Sequence, residues 1–153
     1  MADLDACIKM RAELVKLALQ WQEHFGVAPR ITDAISEFDA ALCIVKCDPA
    51  EHMEQMRYRT AVSRGHDFIF DGNRFQVKAN RPSGAPGCFV TKVGKANNYD
   101  WEYLIWILYS REYIMQEAWL WTVEAYRQNF EGQKRISPND MRRGEQVFPV
   151  VYK

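Results

Sequence analysis

Apolar side chains recur at helical spacing near the start of the chain. Leu14, Leu17, Ala18, Trp21 and Phe25 fall at i, i+3, i+4, i+7 and i+11, so residues 5–25 read as an amphipathic helix with one apolar stripe, stopped by Gly26. Pro29 breaks the chain. Thr32 is placed to cap a second helix with Asp33 in its first turn, and Ile35, Phe38, Leu42 and Val45 supply its core face until Asp48-Pro49. A short helix is expected around residues 51–56, then a strand or irregular stretch over 58–63. The period next switches to two. His66 to Phe70 and Asn73 to Ala79 flank Asp71-Gly72, a dipeptide suited to the positive φ angles of a two-residue hairpin turn. Pro82, Gly84, Pro86 and Gly87 mark residues 80–87 as loop, and Cys88 to Val93 reads as a short strand. Tyr103 to Tyr109 is continuously apolar, as in a strand buried on both faces, and Tyr113 to Trp121 reads as its hairpin partner. Thr122 then caps a helix over 123–130, and Ser137-Pro138 opens another short one.

These elements predict an α/β domain. Two N-terminal helices precede a mixed central β-sheet of four to five strands flanked by α-helices, with one or two more helices at the C-terminal end. The expected division is an N-terminal helix in residues 1–31, a core in 32–130 and a basic tail in 131–153, all within one domain. The chain has 153 residues, 48% of them hydrophobic and 26% charged, which suits a single ordered domain and not a disordered one.

Cysteine usage and the N-terminus bound the compartment. Cys7, Cys43, Cys47 and Cys88 form no Cys-x-x-Cys pair. Cys43, Cys47 and His52 have a zinc-like look, but Cys43 falls within an apolar helical pattern, so reduced thiols are expected. Asp3 and Asp5 stand where a signal peptide would be basic, and the apolar run 103–109 is too short to span a bilayer. The expectation is a cytoplasmic protein with no membrane partner.

Charge changes the picture only when it is resolved along the chain. Twenty Lys and Arg balance twenty Asp and Glu. Yet residues 54–95 carry Arg57, Arg59, Arg64, Arg74, Lys78, Arg81, Lys92 and Lys95 against only Glu54, Asp67 and Asp71. Residues 127–143 form a second basic stretch through Arg127, Lys134, Arg135, Arg142 and Arg143. Brought together by a fold, the two would make a phosphate-binding face.

The first basic window also holds the hairpin. Counting outward from Asp71-Gly72 pairs Phe70 with Asn73, Ile69 with Arg74 and Phe68 with Phe75, and puts Asp67 opposite Gln76. With a side-chain period of two, Asp67, Gln76 and Lys78 then share one face, while Phe68, Phe70, Phe75 and Val77 supply the other. An exposed polar strand face would also carry Gln76 and Lys78; Asp67 opposite them is what makes the group a candidate for chemistry.

Asp67, eight intervening residues and Gln76-Val77-Lys78, preceded by a Glu-bearing helix, resemble the PD-(D/E)XK (restriction endonuclease-like) nuclease superfamily. The Gln variant of the motif is similar to that of the Mrr-type branch. His66 stands where the family pattern has Pro, and residues 80–102 read as loop where the family has a helix. The resemblance spans roughly residues 32–122 and implies a restriction endonuclease-like core. It also implies a Mg²⁺- or Mn²⁺-dependent endonuclease acting on DNA, with RNA as the other nucleic-acid substrate. Asp67, Gln76, Lys78 and Glu37 would be the catalytic residues. The metal would be held by Asp67, Gln76, the Val77 main-chain carbonyl and Glu37. Arg81, Lys92 and Lys95, then Arg135, Arg142 and Arg143, are the expected nucleic-acid contacts. At this size, target specificity would come from a homodimer or a partner subunit. The competing readings are a non-catalytic module that keeps the nuclease fold to bind nucleic acid or protein, and an interaction domain with no nucleic-acid role. Trp101, Trp106, Trp119 and Trp121 are expected in the core and not as base-stacking platforms.

Overall fold

The computed structural model describes residues 3–59, 65–83 and 87–150. Helix α1 (Leu4–Phe25) starts at Asp3, whose side chain accepts from the Ala6 amide at 2.7 Å, and ends at Gly26, which takes φ 84°. Its buried residues are Val15 and Ala18; Leu14, Leu17, Trp21 and Phe25, from the stripe expected to organise the helix, are exposed. Helix α2 (Thr32–Phe38) has Ile31 at its cap position, with Thr32 already inside the helix. It runs straight into a π-helical segment, Asp39–Ile44, that ends at Lys46 with φ 65°. The wider turn rotates Asp39 into the interior. Helix α3 (Pro49–Tyr58) is longer than expected, because Asp48 caps it by accepting from the Glu51 amide at 3.1 Å and Pro49 suits its first turn. The stretch expected as strand over 58–63 falls largely outside the described residues; Tyr58 itself is helical.

Five strands form one mixed sheet in the order β1 (Phe68–Phe70), β2 (Asn73–Asn80), β3 (Tyr103–Tyr109), β4 (Met115–Thr122) and β5 (Glu145–Phe148). The hairpin register matches the sequence count: Phe68 pairs with Phe75, Ile69 with Arg74 and Phe70 with Asn73. Asp71 and Gly72 both have positive φ, 51° and 77°, as a two-residue turn of this hand requires. Strands β2 and β3 are parallel, while β3 with β4 and β4 with β5 are antiparallel. The crossover from β2 to β3 holds no helix among its described residues, and the expected strand over 88–93 is a single bridge, Val93 to Ile136. Strand β5 and helix α5 (Pro138–Met141) lie in the segment expected as a basic tail, and β5 completes the sheet.

Each face of the sheet has its own core. On one, Phe68, Phe75, Val77, Ile105, Ile107, Tyr109 and Ala118 pack against α1, α2 and the π-helical segment. On the other, Leu104, Trp106 and Trp121 pack with Trp101 and Val93 of the crossover, Tyr126 and Phe130 of α4 (Val123–Phe130), and Met141 of α5. Complete burial of an apolar side chain of this size contributes roughly 1.5–3 kcal/mol. The two layers therefore enclose β3 on both faces, and its neighbour β2 is held against it. Three of the four tryptophans expected in the core are fully buried, and the fourth, Trp119, is half-buried. Trp106 satisfies its indole N–H by donating to Asn80 Oδ1 at 2.9 Å. Among the described residues, no helix is long and apolar enough to cross a membrane.

Candidate functional site

Strand β1 pairs with β2 only as far as Phe75, so the next stretch of β2 has no strand on that side among the described residues. Asp67 sits at this point, just before β1 begins. Its amide donates to the Phe75 carbonyl at 2.7 Å, and its carboxylate Oδ2 accepts from the Val77 amide, also at 2.7 Å. An unbroken ladder would have set Asp67 opposite Gln76. Instead the chain bends, and the Asp67 carboxylate turns onto the backbone edge of β2. A strand residue directs its N–H and C=O to the same side, so the Val77 carbonyl faces that edge too.

Glu37 reaches the same place from α2. This helix packs on the face that carries Phe75 and Val77. The pKa of the Glu37 carboxyl is pushed up to about 7, far above the ordinary carboxylate range. Burial is the largest cause, followed by the negative charge of Asp67 and a hydrogen bond shared with it; Arg59 pulls the other way. Two half-buried carboxyl groups that face one guanidinium at a strand edge, one of them with a raised pKa, fit the pattern found at functional sites.

Arg59 follows the last turn of α3 and lies against both acids. Its guanidinium is 3.7 Å from Glu37 Oε2 and 3.6 Å from Asp67 Oδ1, and it donates to the Asp67 carbonyl at 3.3 Å. In the sequence Arg59 stands out only as one member of a basic window. Its position two residues after Arg57, at the end of a helix leading into the motif, was the available signal. Helix α3 is held beside β1 by Gln55, whose side-chain amide both donates to the Ile69 carbonyl at 2.7 Å and accepts from the Ile69 amide at 2.9 Å.

Gln76 and Lys78 lie on the other face of β2. Their register partners are Leu104 and Trp106, which belong to the second core. Both are half-buried, with no side-chain partner among the described residues. The expected group is therefore divided: Glu37, Asp67 and Val77 meet at the edge of β2, and Gln76 and Lys78 flank that edge from the opposite face.

The expected nucleic-acid contacts fall into two sets. Arg81 donates to the Arg111 carbonyl and to Gln22 Oε1, both at 2.7 Å, and lies over the Tyr113 ring. Lys95 donates to the Glu131 and Gln133 carbonyls just beyond α4. Arg142 grips Glu117 at 2.6 Å, and Arg143 stacks over Phe130 near Asp140. These four are structural in this conformation. Lys92 and Arg135 are exposed without an ion-pair partner among the described residues, and the Val93–Ile136 bridge brings their segments together.

The donors at the β2 edge are all oxygen: two carboxylates and a main-chain carbonyl. Such a set fits a hard divalent cation, Mg²⁺ or Mn²⁺, which relieves the crowding of the acids. No group of three or more His, Cys, Asp or Glu side chains comes together among the described residues. The four cysteines are free thiols, Cys43 and Cys88 exposed. Two grooves of about 680 and 540 Å³ lie against α1 and against β5, and neither takes in Glu37, Asp67, Gln76 or Lys78. Compared with models of known protein families and with curated protein sequences, the chain has no match in either.

Proposed function

We propose that the chain is a metal-dependent nuclease of the PD-(D/E)XK type, with a restriction endonuclease-like core, that hydrolyses phosphodiester bonds in DNA. The observation that carries this reading is the Glu37–Asp67 carboxyl pair, seated on the edge of the strand that bears Gln76 and Lys78. Asp67, Glu37 and the Val77 carbonyl would hold Mg²⁺ or Mn²⁺. When bound, the ion supplies Lewis acidity toward the phosphoryl oxygen and lowers the pKa of a coordinated water.

The protein's own groups do the rest. Asp67 is fixed by the Val77 amide, so its free oxygen keeps one direction toward a ligand. Gln76 offers an amide dipole where the family pattern has an acid, which lowers the negative charge of the site. The Lys78 amine orients the attacking water and offsets charge on the five-coordinate phosphorus. The water oxygen bonds to phosphorus, the bond from phosphorus to one sugar oxygen breaks, and that oxygen takes up a proton.

Purified wild-type protein should nick or cleave DNA with Mg²⁺ or Mn²⁺ and not with chelator. Lys78→Ala and Asp67→Asn should each lower the rate by about 100-fold or more. Cleavage unchanged by both substitutions removes this site from consideration. A second reading, a non-catalytic nuclease-fold module, is favoured by Gln76, which leaves only two acids at the site. It predicts salt-dependent DNA binding without cleavage in either metal.

A further inference from the structure

The arginines of this chain differ in how firmly they are held. Arg11 binds Asp39 through two hydrogen bonds of 2.7 Å, Arg74 meets Glu102 at 2.8 Å, and Arg142 meets Glu117 at 2.6 Å. Arg59 makes no such bond to either acid. Its 3.6 and 3.7 Å approaches to Asp67 and Glu37 lie beyond hydrogen-bond range, and its one hydrogen bond, to the Asp67 carbonyl, is long at 3.3 Å. Almost a third of its side chain is open to solvent. Coulomb attraction keeps the guanidinium between the carboxylates, yet no fork geometry locks it there.

We infer that Arg59 is the resident counter-ion of the carboxylate pair and a phosphate-binding residue of the site. A divalent cation and Arg59 compete for Glu37 and Asp67, and the guanidinium released by that competition binds a non-bridging oxygen of the scissile phosphate. The inference rests on the nuclease reading and extends it to a residue outside the motif. Its grounds are position and chemistry. From the α2 side the site presents two acids to a polyanion, and among the described residues Arg59 is the cation found beside both of them. The planar guanidinium fork matches a phosphate better than a lysine does. Arg81, Lys95, Arg142 and Arg143, by contrast, are committed to partners within the chain.

The test pairs metal binding with DNA binding and cleavage in the full chain, comparing wild type, Arg59→Ala and Arg59→Lys. Mn²⁺ titration without DNA should give about tenfold tighter binding for Arg59→Ala, because a competing positive charge is gone, while Arg59→Lys stays near wild type. At saturating Mn²⁺, kcat/KM for DNA should fall about 100-fold in Arg59→Ala and recover in part in Arg59→Lys. In a Lys78→Ala background, the slope of log affinity for an oligonucleotide against log salt should drop by about one when Arg59 is also removed. A purely structural role would lower Mn²⁺ affinity and the melting temperature together and leave that slope alone. Arg59→Ala that binds Mn²⁺ no more tightly than wild type, or cleaves as fast, overturns the inference with the nuclease reading intact. Wild-type protein that neither binds Mn²⁺ nor cleaves DNA overturns both.

Discussion

Asp39 is the most constrained charge in the molecule. Only 3% exposed, it accepts two hydrogen bonds from Arg11 and one of 2.6 Å from the Tyr109 hydroxyl. Arg11 also donates to the Tyr113 carbonyl, so the group ties α1 to the π-helical segment and to the β3–β4 connection. Burial and the neighbouring Asp39 charge push the Tyr109 hydroxyl above its ordinary pKa, so it remains a donor throughout the working pH range. Asp39→Ala strands the Arg11 guanidinium and should cost about 3–5 kcal/mol, read as a fall in the urea midpoint at pH 7. Because Asp39 stands two residues after Glu37, the same substitution should also loosen the carboxyl pair. None of this was legible from the sequence. Ile35, Phe38, Leu42 and Val45 fit an ordinary helix, and spacing alone does not reveal the extra residue in the turn that rotates Asp39 inward.

At the scale of elements, legibility followed how local the cause was. The Asp71-Gly72 turn, the Thr122 cap accepting from the Ala125 amide and the Ser137 capping box are decided within four residues, and each forms as its sequence dictates. Strand β5 was missed because Glu145–Phe148 carries no pattern of its own; pairing with β4 makes it a strand. In α1 the apolar positions were clear, but which of them face the core depends on what packs there. Helix α3 carries a pH dependence. His52 is buried edge-on to Phe68 at 5.9 Å, its Nδ1 has no hydrogen-bond partner, and burial holds its pKa below the usual 6.5. The folded state thus favours the neutral ring. Its contribution is complete above pH 6.5 and is lost as pH falls from there through the lower folded pKa. Across the same range the raised pKa of Glu37 adds stability on acidification, so the His52 share is read as a difference. In thermal melts between pH 7.5 and pH 5, His52→Phe should keep more stability at the acid end, relative to pH 7.5, than wild type does. An equal slope in the variant would place the acid sensitivity elsewhere.

For the whole molecule, charge arithmetic located the basic windows but not the cations free to act. Arg81, Lys95, Arg142 and Arg143 counted toward a phosphate face, yet tertiary packing gives each an internal partner. Of the cations placed at the proposed site or expected as its nucleic-acid contacts, Arg59, Lys78, Lys92 and Arg135 are the ones among the described residues without a tight internal partner. Four such contacts set the expected salt dependence. With about 0.9 counter-ions released per phosphate contact, duplex DNA binding should follow log salt with a slope of about −3 to −4. A slope near −7 in an anisotropy titration would mean that the internally bound arginines change partners on binding. The two hairpins, β1 with β2 and β3 with β4, and the register of the first followed from the strand and turn pattern, while the parallel pairing of β2 with β3 did not. The split of Gln76 and Lys78 from Asp67 across β2 did not, because a single bend at Asp67 changes which face it serves.

The Asp67–Val77 bond has a consequence beyond the proposed site. Where β1 stops, β2 has no strand beside it among the described residues, the kind of backbone edge onto which a strand from another molecule can add. The Asp67 carboxylate occupies the Val77 N–H at that place and sets a negative charge in the path of an incoming chain. Gln55 does the same for the outer side of β1 by taking both backbone groups of Ile69. One carboxylate thus both belongs to the proposed site and guards the strand edge. Asn at position 67 keeps an acceptor for the amide, whereas Ala leaves the edge bare, so an Asp67→Ala protein should lose monomer to aggregation as well as any activity.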